Sequence, residues 1–149
     1  MKNIRPNVVQ QLKVGACTPQ LSLLARRLHQ PTTTIHYNIK RLEDEKVILA
    51  YKAVFDYAKI DEGFCAFVLI TLSPDEYGNP ERIGKALCAH SEIESVDIIA
   101  GDWEMLLKVR AKDMDGYYSF VKNVISRKGI LKIKTLTSMK QLKTEFVTL

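Results

Sequence analysis

The polar side chains of residues 32–41 have the types and the spacing needed to read another molecule by hydrogen bonding. This stretch, TTTIHYNIKR, combines hydroxyls, an imidazole, a phenol and two basic groups. The apolar Ile35, Ile39 and Leu42 recur at i, i+4 and i+7, so a helix here is expected to bury them on one face. The opposite face then presents polar groups near a helix N-terminus, which is the arrangement that reads base edges in a DNA major groove.

The residues predicted to contact DNA form two groups. The candidates for base edges or the sugar–phosphate backbone are Thr32, Thr33, Thr34, His36 and Tyr37. The candidates for phosphate contacts are Lys40, Arg41, Arg26 and Arg27. The acidic residues 43–45 fall at the far end of the helix, so its N-terminal half is expected in the groove. The structural alternatives are an ordinary helical hairpin with a solvated polar face and a packing role for the histidine and the tyrosine.

Two helices are predicted ahead of this one. Residues 3–14 form the first and end at a glycine, and residues 21–28 form the second with apolar side chains at i, i+3, i+4 and i+7. Pro31 interrupts the pattern and sets up the third helix, with Thr32 or Thr33 as its N-cap. The order of elements predicts a helix-turn-helix, followed by an extended segment from Val47 to Phe55.

The positive charge of the chain is concentrated in its first third. Residues 1–52 contain nine Lys and Arg against three acidic residues, a net charge of +6, whereas the remaining residues carry −1. This difference favours a basic domain that binds a polyanion, joined to a second domain of nearly zero net charge. A short domain can also acquire such a charge bias by chance. We therefore predict a DNA-binding domain over 1–52, a linker over 53–62 and an effector-binding and oligomerisation domain over 63–149.

Composition argues against several other classes of protein. The chain of 149 residues is 46% hydrophobic and 26% charged, which is typical of a globular protein. It has no apolar run of ~18 residues and no N-terminal stretch like a signal peptide, so no membrane association is expected. Its three cysteines form no CxxC pair, which argues against a zinc site or a disulfide framework and favours the cytoplasm. We expect no cofactor and no metal.

Strands and helices alternate in the second half of the chain. Strands are predicted at 64–72, 95–100, 103–110 and from 130 to about 139, with a further extended tail to 147. Helices are predicted at 80–90 and from an Asp113 cap to about Arg127. The order β-α-β-β-α-β is the ferredoxin-like arrangement, and together with the N-terminal helices it gives an α+β protein. One face of such a sheet is open in a monomer, and its apolar positions predict burial by a second copy.

A second candidate site lies where Gly101-Asp102 is predicted to form a two-residue hairpin turn. Backbone groups of the turn can hold a carboxylate, and Asp102 or Glu104 can pair with an ammonium group. At an oligomer interface, Thr135 or Ser138 could complete such a site. The alternative is that the turn only connects two strands.

Several segments resemble the Lrp/AsnC family of transcriptional regulators, the feast/famine regulators, over nearly the whole chain. The N-terminal matches are Leu24-Ala25, Ile35, Ile39-Lys40-Arg41-Leu42-Glu43 and Val47-Ile48. The C-terminal matches are Ala100-Gly101-Asp102-Trp103-Glu104 with Leu106-Leu107, similar to "TG.YD.LL", and Thr135. The resemblance implies a winged helix-turn-helix domain and a ferredoxin-like βαββαβ sandwich of the RAM/ACT kind.

The resemblance also implies function. It implies a homodimer, often assembled into tetramers or octamers, that binds pseudo-palindromic double-stranded promoter DNA and responds to an amino acid or a similar metabolite. The effector residues implied are Gly101, Asp102, Trp103, Glu104, Thr135 and Ser138. An alternative is a small-molecule sensor whose helix-turn-helix is vestigial.

The chain departs from the family pattern at four positions. Lys46 replaces the usual Gly, which suggests a different helix ending, and Asn38 replaces a frequent Arg, so one phosphate contact is expected to be absent. Trp103 and Glu104 replace Tyr and Asp, and either replacement is expected to change the ligand preference or to abolish ligand binding.

An enzyme is the remaining class. Proteins similar to this family include sirohaem decarboxylases, which use a His/Tyr/Arg-rich cluster in the C-terminal half. Here that half has a single histidine, His90, which is expected to cap a helix end at the surface. We predict no catalytic residues.

Overall fold

The computed structural model describes residues 4–144 and 147–148, and the chain divides into two compact units, Met1–Val54 and Phe55–Leu149. No helix among the described residues is long and apolar enough to cross a bilayer. Residue 3, where the first predicted helix begins, lies outside the described residues. Each unit is described by itself below.

The first unit contains the three predicted helices. They are α1 (Arg5–Lys13), α2 (Leu21–Leu28) and α3 (Thr32–Asp44). The buried residues Ala25 and Ile35 lie on α2 and α3, whereas Leu42 is 38% exposed. The predicted apolar face of α3 is therefore covered at its N-terminal end and open at its C-terminal end within this unit.

The predicted threonine cap of α3 is wrong. Pro31 is the N-cap, with extended backbone angles, and no side chain caps the helix. The carbonyl oxygen of Pro31 accepts from Ile35 N–H at 3.2 Å, so Thr32 is already the first helical residue. The φ of Pro31, −59°, is compatible with a helix, but its ψ of 143° is extended, so residue 31 stands outside the helix and the helix begins at Thr32.

Helix α3 ends in a Schellman motif built on a lysine. Lys46 adopts φ +58°, Val47 N–H donates to Leu42 O at 2.9 Å, and Lys46 N–H donates to Glu43 O at 3.0 Å. The expectation of a different helix ending is therefore wrong, since the turn is the one that a glycine usually makes. Residues 47–55 contain only an isolated parallel bridge, Ala16 with Tyr51, and no wing strand.

Replacing Lys46 with glycine is expected to stabilise the first unit by ~0.5 kcal/mol. An L-residue in the left-handed region costs ~1–2 kcal/mol, and the extra chain entropy of glycine offsets part of that gain. Urea unfolding followed by helical circular dichroism measures the change. Lys46→Ala is the matched control because it removes the side chain and keeps the Cβ, and equal stability of the two variants would contradict the assignment.

The second unit has the predicted βαββαβ order. Its main elements are β1 (Phe64–Leu72), α4 (Pro80–Cys88), β2 (Ile93–Ile98), β3 (Met105–Ala111), α5 (Met114–Phe120) and β4 (Ile130–Thr137). Short 3-10 turns at Tyr57–Ile60 and Pro74–Glu76, and a small pair of strands, β5 (Lys143–Thr144) and β6 (Val147–Thr148), complete it. The four long strands are antiparallel in the order β2-β3-β1-β4.

Alternate residues of the central strands form the core against the two helices. Val68 and Ile70 of β1 and Leu107 and Val109 of β3 are fully buried, together with Leu87 of α4. The intervening side chains lie on the opposite, outer face of the sheet. There Phe67, Leu69 and Leu106 are half-buried and Leu136 is 45% exposed, so an apolar area stays open in the single chain.

Two element boundaries differ from the prediction. Helix α5 begins at the Asp113 cap, whose carboxylate accepts from Gly116 N–H at 2.8 Å, but it continues as a π-helix over Val121–Ile125 and stops two residues early. Strand β2 spans Ile93–Ile98, so six residues and not two separate it from β3. Backbone hydrogen bonds of Glu104 continue the pairing beyond the strand ends, because its N–H donates to Ile70 O of β1 at 3.0 Å and its carbonyl oxygen accepts from Ile99 N–H at 3.0 Å.

Candidate functional site

The N-terminal half of α3 is a polar, fully accessible surface. All seven residues predicted there are exposed: Thr32, Thr33, Thr34, His36, Tyr37, Lys40 and Arg41. At ~100° per residue, Thr33, Tyr37 and Lys40 lie on one side of the helix. Tyr37 is 67% exposed, which argues against the alternative that it packs within this unit. The surface is therefore available for a partner.

Three of the basic side chains predicted to contact phosphates have structural roles of their own. The Nε of Arg41 donates to Glu45 Oε1 at 2.7 Å, but both side chains are about half exposed or more, and such pairs contribute only ~0.3–0.5 kcal/mol. Arg26 and Arg27 are exposed in the last turn of α2, where a cation also stabilises the helix dipole. None of these interactions is strong enough to prevent the three guanidinium groups from binding a phosphate.

Asn38 makes a local contact. Its Nδ2 donates to Thr34 O at 2.8 Å within the same helix. The amide is therefore engaged within its own helix, and the absence of a phosphate contact at this position stays a prediction.

The loop between β2 and β3 is anchored by its last two residues. Glu104 Oε2 accepts from Leu72 N–H at 2.9 Å, and the Lys132 ammonium lies 5.4 Å from the centroid of the Trp103 ring. Gly101 has φ +133° with open space around its Cα, and Asp102 is exposed. The loop is thus held by contacts of Trp103 and Glu104, whereas Gly101 and Asp102 are exposed.

Thr135 and Ser138 lie elsewhere in the same chain. The Thr135 and Tyr117 hydroxyls are 2.6 Å apart on the helix side of the sheet, and Ser138 N–H donates to Cys65 O at 2.9 Å. Burial raises the pKa of Tyr117, with the Thr135 hydrogen bond opposing this effect. Cys65 and Leu72 stand at opposite ends of β1, about 24 Å apart. One chain therefore does not bring the six predicted effector residues together.

A group of charged residues on the outer face of the sheet was missed by the sequence analysis. The charged cluster consists of Glu94, Lys108 and Arg110, with Lys108 Nζ 2.8 Å from Glu94 Oε1 and Arg110 Nε 2.7 Å from Glu94 Oε2. Their side chains are 14%, 13% and 7% exposed. Lys108 and Arg110 alternate along β3 with the buried Leu107 and Val109, but nothing in this local pattern indicates that the two basic side chains are covered.

Two segments cover the charged cluster. The Arg110 guanidinium carbon lies 3.8 Å from the centroid of the Tyr57 ring, and Arg110 Nη2 donates to Gln141 Oε1 at 2.6 Å. Tyr57 opens the 3-10 turn that precedes β1, and Gln141 follows β4. Arg110 thus contacts both Tyr57 and Gln141, which are more than eighty positions apart in the sequence.

Acid is expected to destabilise the second unit through Glu94. Burial by itself raises the pKa of this carboxyl, but the hydrogen bonds and charges of Lys108 and Arg110 outweigh burial and lower the pKa below its ordinary value of 4.5. A carboxyl with a lowered pKa stabilises the fold above that ordinary value, and the stabilisation is lost as the pH falls through the folded pKa.

Glu94→Gln is therefore expected to lower the free energy of unfolding near neutral pH by ~2 kcal/mol and to weaken its acid dependence. Urea unfolding followed by Trp103 fluorescence, near neutral pH and at about pH 4, measures both effects. Glu92→Gln is the control because Glu92 is exposed. Identical acid dependence in wild type and Glu94→Gln would contradict this account.

The described residues contain no group of three His, Cys, Asp or Glu side chains arranged to hold a metal. His90 follows α4, and its ring packs edge-on against Phe120 with centroids 6.1 Å apart. This ring contact gives His90 a role in packing α4 against α5.

Comparison with known proteins gave consistent matches. Residues 65–148 match the model of the Lrp/AsnC ligand binding domain. The chain is 31% identical to an HTH-type transcriptional regulator of Pyrococcus abyssi over 93% of this chain and 92% of the relative. It is 30% identical to the DNA-binding transcriptional activator DecR of Escherichia coli K12 over 85% of this chain and 84% of that protein.

A solved structure shares the fold along almost the whole chain. The transcriptional regulator from Neisseria meningitidis in complex with L-Met superposes with a TM-score of 0.74, covering 97% of this chain and 93% of that one. The two sequences are 19% identical, so this likeness concerns the fold alone.

Proposed function

Because this chain belongs to the Lrp/AsnC family of transcriptional regulators, we propose that it acts by inserting the N-terminal half of α3 into the major groove of double-stranded promoter DNA. The observation that carries the proposal is the exposed polar surface of α3 on a segment with a net charge of +6. E. coli DecR, a relative, is named as a DNA-binding activator.

The residues have distinct proposed roles. Side chains of Thr33, His36 and Tyr37 read base edges, with Thr32 and Thr34 at the sugar–phosphate backbone. Lys40, Arg41, Arg26 and Arg27 neutralise phosphates. The acids at the end of α3 keep its C-terminal turn away from the DNA. Binding of this kind needs no metal or cofactor, and its proposed place is the cytoplasm.

We propose that the protein binds DNA as a homodimer. On the outer face of the sheet Phe67, Leu69 and Leu106 are half-buried and Leu136 is exposed, and a second copy of the same face would bury what remains of this apolar surface. Two-fold symmetry then presents two α3 helices to two half-sites of pseudo-palindromic DNA. Tetramers or octamers of such dimers are the larger assemblies to test.

The proposed effector is an amino acid bound at the loop of residues 101–104. A protein of the same fold was solved with L-Met. Free N–H groups near Gly101 suit a carboxylate, and Asp102 or the second oxygen of Glu104 suits an ammonium. Because Thr135 and Ser138 lie away from this loop in one chain, they can contribute only from another copy.

Fluorescence anisotropy tests the DNA proposal. The protein is titrated against duplex from its own upstream region and against random duplex at several salt concentrations. Tighter binding to the upstream duplex, with affinity that falls steeply with salt, is expected, since each phosphate contact contributes about 0.9 to the salt slope. Equal weak binding to both duplexes would favour the alternative of a sensor with a vestigial helix-turn-helix.

Thermal unfolding tests the effector proposal. Each amino acid is added at saturating concentration, and a rise in Tm is expected for those that bind, because a ligand stabilises the state it binds. The control is Glu104→Gln, which keeps a hydrogen-bond acceptor for Leu72 N–H and removes the negative charge. No shift of Tm or assembly size with any amino acid would refute the site.

The relatives are named as regulators of transcription. We propose that this chain likewise acts by binding and not by catalysis. The decarboxylase alternative has no supporting observation, since the ring of His90 packs against Phe120.

A further inference from the structure

We propose that Asp97 of one copy pairs with Lys134 of a second copy, and that two such ion pairs fix how the two sheets face each other in the dimer. This inference rests on the proposed function, because it takes the outer face of the sheet as the dimer interface. It names the residues that orient that interface, and all of them belong to the second unit.

One row of residues crosses the outer face from edge to edge. Asp97 of β2 lies opposite Leu106 of β3. Leu69 of β1 lies opposite both Leu106 and Lys134 of β4. The two leucines are half-buried, whereas Asp97 and Lys134 are exposed. These four residues, called the outer row below, have an apolar centre, an acid at one end and a base at the other.

Both charged ends of the outer row lie on the outer face. Val96 and Ile133, their neighbours in the chain, pack against the core on the helix side, and successive side chains of a strand alternate between faces. Asp97 and Lys134 are separated by three strand spacings, about 14 Å, which is too far for a salt bridge within one sheet. Neither charge can therefore neutralise the other within a single chain.

The charge of the second unit is divided in the same direction as the outer row. Residues 74–104, which contain α4 and the edge strand β2, have eight acidic and two basic residues, a net charge of −6. Residues 126–143, which contain the other edge strand β4, have six basic residues and no acidic one, a net charge of +6. Two copies therefore attract each other when the β4 edge of one lies over the β2 edge of the other.

One two-fold orientation produces this match. The strand order β2-β3-β1-β4 is centred between β3 and β1, so an axis parallel to the strands at that centre places β2 over β4 of the second copy. Asp97 then faces Lys134 at both ends of the outer row, and Leu69 faces Leu106 at its centre. Packed sheets lie ~10 Å apart, a gap that the two charged side chains span together. An axis along the row would instead stack each charge on its own equivalent, which like-charge repulsion disfavours.

Charge reversal tests the pairing. Asp97→Lys and Lys134→Asp each convert both ion pairs into like-charge pairs, so each variant alone is expected to raise the dimer dissociation constant about 10- to 100-fold at low salt. An equimolar mixture of the two is expected to form a heterodimer with the wild-type constant, because every facing pair is again opposite in charge. Sedimentation equilibrium at about 20 mM and about 1 M salt measures the constants, and the differences are expected to shrink at high salt, where exposed charges are screened beyond ~3 Å.

Asp115→Lys and Lys122→Asp are the matched controls. They make the same charge reversals at exposed positions of the helix layer, on the other side of the sheet. Both are expected to keep the wild-type dissociation constant, alone and in the mixture. Circular dichroism checks the fold of every variant. If a reversal variant does not fold, the nearly isosteric Asp97→Asn and Lys134→Gln decide, and each is expected to weaken the dimer severalfold at low salt only.

The outcomes separate this inference from the proposed function. Wild-type dissociation constants in both single variants would overturn the pairing and leave the dimer in place. Weakened single variants whose mixture stays weak would also overturn it, because Asp97 and Lys134 would then not face each other. If Lys134→Asp lowers DNA affinity while the dimer constant is unchanged, the basic edge contacts DNA and the pairing is wrong. A wild-type protein that stays monomeric at every concentration would overturn the proposed dimer and the pairing with it.

Discussion

Replacing Tyr37 and Lys40 together with alanine is expected to lower the affinity for a half-site by about 10- to 100-fold, since one good base contact contributes ~1–3 kcal/mol. Both side chains are exposed on the same side of α3, and neither contributes to the core of its unit. Loss of the Lys40 charge is expected to reduce the salt slope by about 0.9 for each half-site. Anisotropy against the upstream duplex over a range of salt measures both quantities.

The chain contains a matched control for this variant. Tyr118 and Lys122 are also exposed and lie four residues apart in the second unit, at and beyond α5, where Tyr118 is 66% exposed against 67% for Tyr37. Tyr118→Ala with Lys122→Ala removes the same chemical groups and is expected to leave DNA affinity unchanged. If the two double variants weaken binding equally, the effect comes from general charge or folding, and the assignment of α3 is wrong.

Replacing Leu69 with glutamate is expected to convert the proposed homodimer into a monomer. Leu69 lies in the middle of the outer face, directly opposite Leu106 of β3, and is half-buried in a single chain. A carboxylate there lies opposite Lys134 of β4, but burying this charged pair on association removes both charges from water, a desolvation cost that their attraction does not repay without further hydrogen bonds. Symmetry repeats this cost in the second copy. We expect the dimer dissociation constant to rise at least about a hundredfold.

Sedimentation or light scattering over a range of protein concentrations measures this change. Met114→Glu is the control, because Met114 is 57% exposed at the start of α5, on the helix side of the sheet, and an acid is favourable in a first helical turn. DNA affinity should fall with the dimer in Leu69→Glu and stay unchanged in Met114→Glu. A stable dimer of folded Leu69→Glu would show that the outer face is not the interface.

Most elements could be located from the sequence because their causes are local. Strand β1 was placed correctly over Phe64–Leu72 from its apolar run, and α2 from its spacing of apolar residues. The Asp113 cap and the glycine turn after α1 were also found, since one residue determines each of them. The prediction of a threonine cap for α3 was wrong because Pro31, with an extended ψ of 143°, is the N-cap and Thr32 is already helical.

The sequence alone determined the polar surface of α3, the +6 charge around it, the order of strands and helices and the resemblance to the Lrp/AsnC family. Periodicity, charge and motif depend on neighbours along the chain, and these can be read directly. Only the tertiary structure decided how far Thr135 and Ser138 lie from the loop at Gly101, and that Glu104 bonds to the backbone of β1. It also decided that Arg110 is buried under Tyr57 and Gln141. Those facts depend on strand register and on contacts between segments far apart in sequence, which no local pattern specifies.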